Sequence, residues 1–81
     1  MSNSFRTAME IGQSCISVHR ELRWIRFVLL SDLDREGIDT TAMKDAYKRT
    51  SDAVADLKVE LTRLFPDLDW DDLSRGGDGD E

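Results

Sequence analysis

The chain has 81 residues and a mass of 9.3 kDa, with 40% apolar and 35% charged residues, the proportions of one small globular domain rather than of a disordered segment. Its longest uninterrupted apolar run, Phe27-Val28-Leu29-Leu30, is fenced by Arg26 and Ser31 and falls far short of the roughly 18 residues of a membrane span. One cysteine excludes an internal disulfide, and the N-terminus lacks a basic region followed by an apolar core, so the expectation is a cytoplasmic protein without membrane contact.

In chain order, Ala8, Ile11, Cys15, Val18, Leu22, Ile25 and Leu29 fall at alternating spacings of three and four, the pattern of a helix seam. This predicts a long helix near residues 4–35. Ser2, Asn3 or Ser4 would cap its start, and Gly37 would end it, because a left-handed backbone costs glycine little. Gly12 weakens such a helix by up to about 1 kcal/mol relative to alanine and suits the close approach of a neighbour. A second apolar patch, Ile16, Trp24, Phe27 and Leu30, lies off the seam and requires a cover.

The stretch Asp32-Leu33-Asp34-Arg35-Glu36-Gly37 matches the first half of an EF-hand loop, with oxygen ligands at positions 1, 3 and 5 and glycine at 6. The second half fails, since Met43 stands where a bidentate glutamate belongs and Ile38 comes one position early. An acidic turn with a glycine helix stop is the expectation. Cys15 and His19, four apart, share a helix face, and two copies together could offer zinc two thiolates and two imidazoles. Cys15 falls in the apolar seam, however, where a thiol acts as a small hydrophobe. No catalytic residue, metal or cofactor is therefore assigned.

Met43, Tyr47, Thr50, Val54, Leu57, Leu61 and Leu64 repeat the alternation, with Ala46 and Ala53 beside the stripe, and predict a second helix near residues 40–65. Asp39 is the expected N-cap, with Ile38 packing on Met43 as a hydrophobic staple. Pro66 should stop the helix near Leu64, because it has no amide to donate and disfavours helical geometry at Phe65. The short connection makes the helices antiparallel neighbours. The predicted fold is thus all-α: an antiparallel two-helix hairpin over residues 1–65, dimerising as a four-helix bundle, with residues 66–81 as a partly disordered acidic tail. A lone hairpin has little core for its size. Three covers for the second patch are open: a second copy, a foreign partner, or the C-terminal segment folding back with Leu68, Trp70 and Leu73.

Residues 1–65 hold ten acids and ten bases, whereas the tail holds seven acids against Arg75 alone and so carries the whole net charge of −6. The only basic aromatic cluster is His19-Arg20-Glu21-Leu22-Arg23-Trp24-Ile25-Arg26, in which Arg20, Arg23 and Trp24 share a helix face. With Phe27 and Leu30 they form the first set of expected partner contacts. In architecture the predicted hairpin resembles the small dimeric Rop-type plasmid regulators, and that resemblance implies RNA or DNA binding through the Arg/Trp face. The absence of net positive charge disfavours it.

Leu68-Asp69-Trp70-Asp71-Asp72 resembles, over five residues, the tryptophan-acidic motif by which cargo adaptors engage kinesin light chains. The resemblance implies a protein partner and makes Leu68, Asp69, Trp70, Asp71 and Asp72 the second set of contacts. An acidic tail can also imitate a phosphate backbone, as a small inhibitor carried by a phage or mobile element would. The favoured expectation is a non-enzymatic helical module, a homodimer that regulates through protein-protein contacts.

Overall fold

The computed structural model describes residues 3–76. It is all-α, with no strand among the described residues. Helix α1 (Asn3–Trp24) runs without a break into a π-helical segment (Ile25–Leu29) and then α2 (Leu30–Arg35). A second long helix, α3 (Thr41–Leu64), follows, and a short α4 (Trp70–Gly76) ends the described chain. No described helix is long and apolar enough to cross a membrane.

The π segment corrects the predicted seam. The amide of Leu30 donates to the carbonyl of Ile25, five residues back, so one extra residue is accommodated in that turn. The buried position therefore moves from Leu29, which is 44% exposed, to Leu30, which is 1% exposed. Periodicity alone gives no sign of such a shift, since it assumes one residue angle throughout.

The end of α2 follows the expected chemistry. Gly37 takes φ +82°, its amide donates to the Asp34 carbonyl, and the Ile38 amide reaches back to the Leu33 carbonyl at 3.1 Å. This pair of bonds satisfies carbonyls that the helix end would otherwise leave bare. Thr40, rather than Asp39, occupies the cap position of α3. The Asp39 carboxylate still accepts the Thr41 amide at 3.0 Å, and the Thr40 hydroxyl donates to Asp34 at 2.6 Å. Ile38 and Met43, the predicted staple, are each about half exposed. The last amide of α3 bonds Phe65 to Leu61, and the backbone then leaves the helix before Pro66, as predicted.

The core lies where the start of α1 meets the end of α3. Ala8, Leu61, Leu68 and Leu73 are buried together, with Phe5, Met9, Ile16, Phe65 and Trp70 packed around them. Phe5 and Phe65 meet edge to face at 6.3 Å, a favoured geometry for aromatic pairs. The segment from residue 66 is thus not simply a tail. Leu68 and Leu73 are core residues, and α4 lies against α1. The expected disorder falls on residues 77–81, outside the described residues, apart from Gly76, which closes α4.

Gly12 explains how α4 comes so near. A side-chain carbon there would lie 2.8 Å from Leu73 Cδ1 and 3.3 Å from the Trp70 ring. The close approach expected of Gly12 is made by α4.

Candidate partner-binding surfaces

Three surfaces flank the two long helices. The first is the side that α4 occupies. The Trp70 indole donates to Thr62 Oγ1 at 2.9 Å, and Lys58 Nζ sits 5.2 Å from the ring centre, within cation-π range. Asp69 accepts the Asp72 amide at 3.1 Å and so starts α4. Of the second predicted contact set, Leu68 is buried and Trp70 half-buried, whereas Asp69, Asp71 and Asp72 are exposed. The tryptophan-acidic resemblance needs a free Leu and Trp, and both are engaged with the helices beneath.

The second surface is a groove of about 390 Å³ on the α4 side, bordered by Ser74 of α4. Arg20, Arg23, His19 and Lys58 line it, together with Tyr47 and Ile16. Arg20 and Arg23 are therefore neighbours, as their spacing required, and the fold adds Lys58 from α3, which no local pattern could supply. Trp24 and Phe27 are exposed, with the Arg26 guanidinium 5.7 Å from the Phe27 ring centre. Leu30, placed by the sequence in the same contact set, lies inside the protein and offers no surface. The second apolar patch is therefore divided: Ile16 is packed by the core around α4, Leu30 faces inward, and Trp24 and Phe27 remain open.

The third surface was not separated out by sequence reasoning. Each seam splits into alternate halves. Ala8 and Cys15 are buried, as is Leu61 at 6% exposed, but Ile11, Val18 and Ile25 are open, and so are Met43, Leu57 (52%) and Leu64 (64%). The open residues fall on one side of each helix, because helical geometry at 3.6 residues per turn fixes their direction. On α3, Thr62 and Lys58 point to α4 through Trp70, which puts Leu57 and Leu64 on the opposite flank of Leu61. On α1, Gly12 meets α4, which puts Ile11 and Val18 on the opposite flank of Ala8. Both stripes thus share the face away from α4. The signal was in the sequence as seven-residue repeats, 11/18/25 and 43/50/57/64, but only a placed α4 separates them from the buried halves.

The remaining candidates are engaged elsewhere. Cys15 is buried; desolvation pushes its thiol up from the ordinary range, with Lys58 opposing that shift. The Asp34 carboxylate is taken by Lys44 at 2.8 Å and by the Thr40 hydroxyl, and these bonds hold it below the usual carboxylate range. Asp32 pairs with Arg35. Among the described residues, no group of three His, Cys, Asp or Glu side chains is placed to hold a metal ion. No known protein family, curated protein or solved structure matches the chain.

Proposed function

We propose that this protein is a small non-enzymatic module whose antiparallel helical hairpin acts through protein-protein contacts. One observation carries the reading: Ile11, Val18, Ile25, Met43, Leu57 and Leu64 are exposed on one face of the paired helices. A contiguous apolar face of this kind marks an interaction site, whereas singly scattered apolar residues would not. The non-enzymatic part is supported by chemistry already engaged. A buried thiol pushed toward its protonated form is a poor nucleophile, and the Asp34 carboxylate is committed to closing a turn.

The test is quantitative capture with matched baits. Proteins, further copies of the chain included, that the wild type retains and Leu57→Glu loses are the expected result, and identical sets from both baits would dismiss the reading. Nucleic-acid binding is the second reading, favoured by the alignment of Lys58 with Arg20 and Arg23 in one groove. It requires that a mixed-sequence oligonucleotide bind with an affinity that falls steeply with salt and is lost on Arg23→Glu.

A further inference from the structure

The face opposite α4 needs an occupant with two apolar stripes, each repeating every seven residues and spaced as two packed helices. We infer that this occupant is a second copy of the chain, joined through a two-fold axis along the helices to form a four-helix bundle; this rests on the protein-binding reading of the same face.

Four observations carry it. First, the seven-residue period occurs on both α1 and α3, and that is the repeat which keeps a seam facing its partner in left-handed bundles. Second, the levels match. Ala8 packs with Leu61, and Leu22 and Tyr47 line one groove, so the two helices keep a fixed alignment. A two-fold axis along the helices reproduces it between copies, setting Ile11, Val18 and Ile25 of α1 level with Leu57, Thr50 and Met43 of the partner's α3.

Third, the edges are complementary. Glu21, one residue from Leu22, and Arg49, two from Tyr47, come to the same level on the outer edges of the face, and both are exposed. Each Glu21 then stands near the partner's Arg49, twice by symmetry. Fourth, the face is suited to desolvation. Thr50 interrupts the α3 stripe, but its hydroxyl already donates to the Ala46 carbonyl at 2.9 Å, so its methyl group can be covered without stranding a donor. Ala46 and Ala53 are small and exposed beside it and let a second helix come close.

The size is adequate. At 1.5 Å per residue the stripes are about 21 Å long on α1 and about 32 Å on α3, and two helices side by side span about 20 Å. That footprint is on the order of 500 Å² per copy, and interdigitated side chains bring the buried area toward the roughly 800 Å² per partner of a stable complex.

Sedimentation velocity over a concentration series tests the assignment on the full chain. The wild type should run at twice 9.3 kDa. Val18→Glu with Leu57→Glu should run at the monomer mass with helical circular dichroism intact, the dissociation constant raised at least about 100-fold. Leu57→Gln alone, a milder change at an exposed site, should weaken the dimer in the same direction, and Phe27→Glu, away from this face, should leave it unchanged. A dimer that survives both face variants, or that only Phe27→Glu breaks, overturns the assignment. A wild-type monomer that binds an apolar dye, with binding abolished by Leu57→Gln, overturns the second copy but keeps the face as a partner surface. A monomer that binds no dye overturns both.

Discussion

The two flanks of the paired helices start from similar sequence and end differently. Toward α4, the chain supplies its own cover: Leu68 and Leu73 are buried against Ala8 and Leu61, and Trp70 lies over Gly12 with its indole bonded to Thr62. Away from α4, equally regular apolar stripes receive nothing from the described chain. The contrast arises from one glycine and one proline. Gly12 opens a slot on α1, and Pro66 ends α3 early enough for the next residues to turn back into it. The residues after Pro66 cover one flank, and the apolar residues of the other stay exposed.

The largest expected effect separates the two flanks directly. Leu73→Ala removes a buried leucine from the α4 side and should lower unfolding stability by about 2–4 kcal/mol, to the same extent at every protein concentration. Leu57→Ala, at a half-exposed site, should cost the monomer less than about 0.5 kcal/mol. Its effect should grow with concentration, since association stabilises whatever species it favours. Urea denaturation of both variants at dilute and high concentration reads the difference. If both losses were concentration-independent and equal, the flanks would be energetically alike.

A smaller effect is expected at the slot itself. Gly12→Ala brings two opposed changes: alanine favours the helix by up to about 1 kcal/mol, while its Cβ presses on the movable Leu73 tip and the stiffer Trp70 ring. These nearly cancel. Gly12→Leu has no room to be absorbed and should cost about 1–3 kcal/mol by lifting α4. In a Trp24→Phe background Trp70 is the sole tryptophan, and its emission should shift to the red only in the leucine variant. Unshifted emission in that variant would mean that α4 does not depend on the slot.

How much of this was legible beforehand varied with the kind of signal. The helices, the Gly37 stop and the Pro66 break could be read because each depends on local chemistry: periodicity, a positive φ and a missing amide. The close approach at Gly12 was also legible, although the neighbour was not. Leu30 was misplaced because a π turn changes the angle between residues, and no residue between Ile25 and Leu29 announces it. The two halves of each seam could not be told apart, since that choice depends on where Leu68 and Leu73 land. Lys58 joining Arg20 and Arg23 was hidden for the same reason: it comes from a different helix. The tail's charge drew attention to its acids, while its apolar residues decided its position.

The smallest effect concerns the turn that joins the flanks, and it has a definite sign. Lys44 and Thr40 bond the ionised Asp34 carboxylate and depress its pKa in the folded chain. A depressed carboxylate favours folding wherever it is ionised in both states, so the contribution is complete above the unfolded value near about 3.9 and is lost as pH falls through the lower folded value. Asp34→Asn should therefore lower Tm slightly at neutral pH, and the gap from the wild type should close below about pH 4. Asp39 is depressed by the Thr41 amide and raised in turn by the Asp34 charge, so Asp34→Asn also deepens the depression of Asp39 and offsets a small part of the gap. The gap should also narrow with added salt at neutral pH, because the Lys44 pair is partly open to solvent and screened accordingly. The absence of any gap at neutral pH would assign the role of Asp34 to the Thr40 hydroxyl alone, since an asparagine oxygen accepts that bond at any pH and only a carboxylate holds the lysine.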